Sequence, residues 1–315
     1  MSAFRATRPR PSTVSRRMIL TGGAVSALAV LAACSSPSGS GSPEASPAAS
    51  GSASAGSAAS RSLPKSTVVP TELDSGLGSG QADGVFPRTV AHYQGETTIN
   101  AAPTKVVIIS TGQADAMLSL GMCPIGSTTA SGAEGPVPQY LKDAYPGQAS
   151  AIEAITKVGS RTEPDIETIG ALKPDLILTN IAGKDDADTL YKNLTAIAPT
   201  VVTRGTGQFW KIDFLLLADA LGKREAAQSL LDIITQEAGE AGSALTTAGT
   251  ISLLRKNSDK LRVFGPISFS GSVVADMGLQ RPDPQQFTDG VSRELSSETL
   301  DQADGDWLFY GVQGD

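Results

Sequence analysis

From residue 85 onward, short runs of β-branched and apolar residues alternate with stretches of helical periodicity. Thr104-Lys105-Val106-Val107-Ile108-Ile109-Ser110 reads as a buried strand, because a strand covered on both faces is apolar at successive positions instead of alternate ones. A helix from Gln113 to Leu120 follows and closes at Gly121. Further strands are predicted over 124–128, 155–158, 175–179 and 200–203, with helices over 165–172 and 186–198. This alternation predicts a parallel sheet covered by helices, with ligands at the carboxyl ends of its strands.

The pattern then becomes continuously helical over 209–244, with a break at Gly222 and a long amphipathic run over 223–245, before strand signals resume at 250–254, 261–265 and 306–310. The fold class is therefore α/β, with two lobes joined by a long helix: a first lobe over 85–208, a helical segment over 209–247 and a second lobe over 248–315. A spacing repeat relates the lobes. Glu167-Thr168-Ile169 precedes Asp175-Leu176-Ile177-Leu178 by eight residues, and Glu298-Thr299-Leu300 precedes Asp306-Trp307-Leu308-Phe309 by the same eight. The second lobe is much the shorter, so it is expected to be truncated, with strand 306–310 short of covering helices and the 315-residue product unstable.

Residues 1–84 carry no such pattern. Residues 1–17 are basic and free of acids, and Met18 to Ala33 form an apolar run, which together read as a signal peptide over 1–33 too short for a confident membrane span. Within it, Ser15-Arg16-Arg17-Met18-Ile19-Leu20 resembles the twin-arginine export signal. The run ends in Leu31-Ala32-Ala33-Cys34, which resembles a lipobox, whose Cys becomes a diacylated N-terminus. Several acyl chains anchor stably, at about 0.8 kcal/mol per buried methylene. Residues 34–84 are expected to be a disordered Ser/Ala/Gly/Pro-rich tether. Gly76-Leu77-Gly78-Ser79-Gly80 lacks a preceding strand and reads as linker, not as a nucleotide fingerprint.

Charge sharpens this picture. Five of the 25 basic residues and none of the 32 acidic ones precede Cys34, so the chain from there on has 20 against 32, a net charge of −12. That balance argues against nucleic acid as a partner. The two cysteines are Cys34 and Cys123, and with the first lipidated no disulfide framework remains.

Val158-Gly159-Ser160-Arg161-Thr162-Glu163-Pro164-Asp165-Ile166-Glu167, followed by Ala171-Leu172-Lys173-Pro174-Asp175-Leu176-Ile177, closely resembles the motifs of periplasmic binding proteins for ferric siderophores and cobalamin. Further matches are Gln113 to Gly121, Ile197-Ala198-Pro199-Thr200, Val263-Phe264-Gly265-Pro266-Ile267-Ser268-Phe269 and Asp276-Met277-Gly278-Leu279. The resemblance implies two Rossmann-like lobes joined by one rigid helix, a ligand held between them, and a monomeric receptor that serves the membrane subunits of an ABC permease. It also implies one surface glutamate per lobe for docking on that permease, Glu167 and Glu298, placements that equally suit a helix N-terminus. The implied protein is exported, held at the outer face of the cell membrane through Cys34, and is no enzyme.

A ferric siderophore presents oxygens around the iron, and a receptor answers with planar cations and aromatic walls. Arg161 matches the arginine that contacts the iron-coordinating oxygens in ferric hydroxamate receptors, which favours a hydroxamate ligand. Arg204 ends the last strand of the first lobe, Arg255 ends the first strand of the second, and Arg281 follows the Gly278-Leu279 turn. Trp210 and Phe269 are candidate aromatic walls, with Gln113 and Ser268 in turns facing the same cleft. No cofactor is expected, since iron enters only within the bound ligand.

A free-metal receptor would draw on several His and carboxylates, whereas this chain has one His, His92, outside every motif. Cobalamin and haem receptors of the same fold stay open, because the shared motifs mark the scaffold. An enzyme has little to lean on: no G-x-S-x-G, Walker A or H-E-x-x-H string occurs.

Overall fold

The computed structural model describes residues 66–110, 112–129, 135–181, 186–205, 207–245, 249–257 and 260–313. Arg16, Arg17, Cys34 and the tether as far as residue 65 lie outside the described residues. The first lobe runs β1 (Arg88–His92), β2 (Gly95–Ile99), β3 (Val106–Ile109), α1 (Gln113–Ser119), β4 (Gly126–Thr129), α2 (Gln139–Ala144), α3 (Ala149–Glu153), β5 (Thr156–Ser160), α4 (Ile166–Leu172), β6 (Leu176–Asn180), α5 (Ala187–Thr195) and β7 (Thr200–Thr203). Two helices follow, α6 (Trp210–Ala220) and α7 (Arg224–Ser243). The second lobe holds β8 (Ile251–Asn257), β9 (Lys260–Phe264), α8 (Phe269–Asp276), β10 (Ser292–Leu295) and β11 (Trp307–Gln313).

The first sheet has the order β5-β4-β3-β6-β7, all parallel, as expected. Its apolar runs are buried because successive side chains leave on opposite faces. Val106, Ile108, Leu176, Leu178 and Val201 pack with Met117 and Leu118 of α1 and with Leu215, Leu216 and Leu217 of α6. Val107, Ile109 and Ile177 pack with Ile169 of α4 and Leu194 of α5. Strand order reverses across β3 and β6, and such a reversal opens a crevice at the carboxyl ends of the strands. Asp165 and Asp186 cap α4 and α5 by accepting the amides of Thr168 and Thr189, both at 3.0 Å.

The antiparallel hairpin of β1 and β2 was not legible in the pattern. It flanks β7, with the Tyr93 amide donating to the Val202 carbonyl and the Thr97 hydroxyl to that of Thr200. The hairpin so shields an edge strand that would otherwise be open to other chains.

The expected disordered tether runs too far. Residues 66–84 are fastened along α6 from end to end. Gln208 donates to the carbonyls of Ser66 and Val68 at 2.7 and 2.9 Å. Ser79 donates its amide and hydroxyl to Asp219, and the Asp83 carboxylate accepts the amides of Glu225 and Ala226 at the start of α7. Asp219 also meets the wholly buried Arg88 at 3.4 Å, and Arg88 donates to the carbonyls of Ala82 and Val85. Gly and Ser in this stretch signalled linker, yet the acids and Leu77 between them hold it to the fold.

The helical stretch divides where expected, at Gly222, whose φ of 69° is left-handed and whose missing Cβ leaves room for the Phe86 ring. At 20 residues, α7 spans about 30 Å. A Cβ at Gly242 would lie 1.8 Å from the Met277 carbonyl oxygen, so the end of α7 meets the end of α8 through backbone.

The second sheet departs from the parallel expectation. Its order is β10-β9-β8-β11, with β11 parallel to β8 but β9 antiparallel to both β8 and β10. β8 ends at Asn257 and β9 starts at Lys260, a gap that admits a hairpin and no crossover, which takes a dozen residues or more. β11 is an edge strand, with Trp307, Leu308, Phe309, Tyr310 and Val312 exposed.

The eight-residue repeat has a structural counterpart. Asp175, just before β6, accepts from the amide and hydroxyl of Thr104 and the amide of Lys105, just before β3. Asp306, just before β11, accepts from the amide and hydroxyl of Thr250, just before β8. In each lobe one aspartate aligns the starts of two parallel strands, and these hydrogen bonds hold the Asp306 carboxyl below its usual range.

Candidate functional site

β7 delivers Arg204 to the carboxyl edge of the first sheet, where it is buried. Its guanidinium carbon lies 3.6 Å from the centre of the Phe209 ring and 6.0 Å from that of Tyr93, so a planar cation stacks on aromatic faces. Its amide and that of Gly205 donate to the two carboxylate oxygens of Asp213 on α6, at 2.9 and 2.6 Å. Gly205 adopts a φ of 79° against Asn180, where a Cβ would fall 2.3 Å from the Asn180 Cγ. Only glycine fits there.

Burial pushes the Asp213 carboxyl up to about 7, against the two amides and the Arg204 charge, which pull it down. Tyr93 is pushed up to about 12 by burial and by Asp213 and Asp74. Beside Arg204, the Gln113 side-chain amide donates to the Thr203 hydroxyl at 3.0 Å, and the Asn180 amide donates to Ser110. The Gln113 and Asn180 carbonyl oxygens are buried with no hydrogen-bond partner among the described residues.

Trp210, at the first turn of α6, donates its indole N–H to Ser272 of α8 at 3.0 Å. Its ring meets Phe269 edge to face at 5.1 Å. Phe269 is 51% exposed, so the two aromatics bridge the lobes while one of them stays open to solvent. Gln113, Arg204, Trp210 and Phe269 are thus linked by contacts and chain neighbours at the carboxyl end of the first sheet, together with the unforeseen Tyr93, Phe209 and Asp213.

Arg161 stands apart. It is half-buried in the turn after β5, and β5 and β7 are the two edges of the sheet. Four strand spacings put their backbones on the order of 19 Å apart. Arg161 and Arg204 therefore follow opposite edge strands of the sheet instead of clustering. On the rim, Tyr140 donates its hydroxyl to Asp115 in the first turn of α1 at 2.9 Å, and burial raises the Asp115 carboxyl above its usual range.

The other three candidates make contacts within the second lobe, while Arg255 Nε and Arg281 Nε and Nη1 are buried with no hydrogen-bond partner among the described residues. Ser268 caps α8, accepting from the Gly271 amide at 3.0 Å and donating to the Gly265 carbonyl at 2.7 Å. Arg255 sits inside β8, which continues to Asn257, and lies over the Phe264 ring at 5.1 Å. Arg281 is buried, donates to the Phe264 carbonyl and to Gln285, and is lowered to about 10 by desolvation. Glu167 and Glu298 are both exposed, the first in the opening turn of α4 and the second in the short helical segment after Ser296. His92 is wholly buried between Thr97 and the edge of Tyr191. No helix among the described residues is long and apolar enough to cross a membrane.

The sequence pattern of the family described as periplasmic binding protein matches residues 106–314. The probable siderophore-binding lipoprotein YfiY of Bacillus subtilis is 32% identical over 235 residues, covering 71% of this chain and 68% of the relative. The Fe(3+)-citrate-binding protein YfmC of the same organism is 28% identical over 74% of this chain and 70% of its own length. Among solved structures, Staphylococcus aureus SirA complexed with staphyloferrin B superposes with a TM-score of 0.61 at 26% identity, over 72% of this chain and 76% of that one.

Proposed function

The chain belongs to the periplasmic binding protein family, a family of solute receptors and not of enzymes, and from that premise we propose that it captures a ferric siderophore in its interlobe cleft for an ABC importer. The observation that carries this reading is the Arg204 guanidinium stacked on Phe209 beside the Trp210–Phe269 bridge. It offers a planar cation for oxygen donors and an exposed aromatic for the ligand's flank. Arg161 closes on the ligand from the far edge of the sheet. In a chain of net charge −12 after the signal, these guanidiniums supply the local attraction an anionic chelate needs.

Arg161 favours a hydroxamate ligand. The ferric citrate named for one relative supports a second reading, a hydroxycarboxylate chelate, which the same guanidiniums would serve. Titration of the intrinsic tryptophan fluorescence with ferric hydroxamates, ferric citrate, ferric catecholates, haem and cobalamin tests both. Quenching by a ferric hydroxamate is expected, ferric citrate alone would support the second reading, and quenching by cobalamin alone would sink the siderophore assignment.

The same proposal includes the anchor and the partner. Export through Arg16 and Arg17, lipidation at Cys34 and docking of a monomeric receptor through Glu167 and Glu298 are its parts. The lipoprotein status named for YfiY supports the anchor. Loss of labelled palmitate and release of the protein into the medium are the expected results of Cys34→Ala.

A further inference from the structure

Asp213 is used by nothing assigned so far, although it touches the loop that carries Arg204. It is the fourth residue of α6, and its carboxylate faces back onto the loop between β7 and α6, accepting one amide with each oxygen. The loop has little freedom besides this grip: Gly205 is wedged on Asn180, and Gly207 lies against Phe269, where a Cβ would be 3.4 Å from the Phe269 amide. A carboxylate that answers two N–H donors at once can be replaced by no neutral group of its size. An amide offers one acceptor and turns a donor on the second N–H.

We propose that Asp213 is a positioning residue for ligand capture, holding Arg204 on the Phe209 face at the cleft edge only in its carboxylate form, so that capture weakens as the medium acidifies. This rests on reading Arg204 as a ligand contact. The charged and titratable groups around Asp213 are few. Arg204 at the end of β7 attracts its charge, Tyr93 from the hairpin stays a neutral phenol at these pH values, and Asp74 in the segment before β1 acts on Tyr93. Lys211 on the same helix is committed to Asp276. The carboxyl therefore changes charge near neutrality, where its elevated value lies.

Two measurements on the full chain test this. The first needs no ligand: amide hydrogen exchange of residues 203–210 at pH 8 and pH 5.5, corrected for intrinsic rates. Protection in the wild type is expected at pH 8 and reduced at pH 5.5, with Asp213→Asn unprotected at both. The wild-type comparison stands even if the variant fails to fold. The second is the affinity for ferric citrate and for ferrioxamine, a ferric hydroxamate, over the same range. The wild type is expected to weaken about tenfold on acidification, the scale of one lost charge-assisted contact. Asp213→Asn should be weak and flat with pH, and should add nothing to Arg204→Ala. Unchanged exchange in Asp213→Asn, or full affinity with the wild-type pH profile in that variant, overturns the proposal. Failure of both chelates to bind wild type would overturn the ligand reading, and exchange alone would then decide the role of Asp213.

Discussion

Lys211, in the first turn of α6, places its ammonium 2.8 and 3.0 Å from the two carboxylate oxygens of Asp276 at the end of α8. This pair ties the lobes together one residue from the Trp210–Phe269 bridge. Its side chains are 6% and 18% exposed, so the charges are only partly solvated.

Lys211→Met is therefore expected to destabilise the protein by roughly 1–3 kcal/mol, below the 3–5 typical of a fully buried pair because Asp276 can rehydrate. Thermal unfolding reads the loss. Pairing Lys211→Met with Asp276→Leu should restore most of it, because removing both charges removes the uncompensated one. A double variant no better than the single would mean that packing, and not charge, makes the contact.

Arg88→Leu should cost more, about 3–5 kcal/mol by urea denaturation, since both partners are wholly buried and Asp219 would be left uncompensated. Because Asp219 also holds Ser79, proteolysis within residues 66–84 should accelerate in the same variant. A loss under 1 kcal/mol would argue that the surrounding carbonyls satisfy the arginine unaided.

Asp213 gives a pH dependence of the opposite sign to most carboxylates. Its folded value, about 7, lies above the ordinary 3.8, so between those values the folded state holds the extra proton. Stability from this group is full below 3.8 and is lost as pH rises through 7. Measured against Asp213→Asn, wild-type stability should rise as pH falls from 7 to 4. A gap independent of pH would show that the carboxyl does not titrate there. Acid so strengthens the fold while loosening the ligand loop, and the stability sacrificed at neutral pH is the cost of positioning Arg204.

If Glu167 and Glu298 dock on the permease as proposed, Glu167→Lys with Glu298→Lys is expected to abolish uptake of the labelled ferric chelate in cells while leaving its affinity unchanged in vitro. Both side chains are exposed and lie off the cleft floor. Normal uptake by the double variant would remove them from the permease interface.

Strands β3, β6 and β7 were legible because each is a buried run rich in β-branched and apolar residues, β4 (Gly-Ser-Thr-Thr) and β5 (Thr-Lys-Val-Gly-Ser) by their place in the strand-helix alternation, and α4 and α5 because an aspartate caps each. β1 and β2 were not, since Arg-Thr-Val-Ala-His and Gly-Glu-Thr-Thr-Ile are short, half polar and directly follow a Gly/Ser-rich stretch. α8 opens with Phe-Ser-Gly-Ser, poor in helix formers, and is held by Ser268 and by packing on α7. At the site, motif spacing pointed to Arg161 and strand ends to Arg204. Ser268, Arg255 and Arg281 were singled out by side-chain chemistry, and their described contacts lie within the second lobe, with Arg255 Nε and Arg281 Nε and Nη1 left without a hydrogen-bond partner among the described residues. Asp213 escaped notice because a single carboxylate near a helix start reads as first-turn charge, and only the folded loop shows the two amides it answers.

The grip of Gln208 on the carbonyls of Ser66 and Val68 holds the first described residues immediately beside Phe209. The 32 residues from Cys34 to Ser66 reach at most about 110 Å by covalent geometry. On the anchored reading, that reach bounds how far from the bilayer the receptor can meet its ligand.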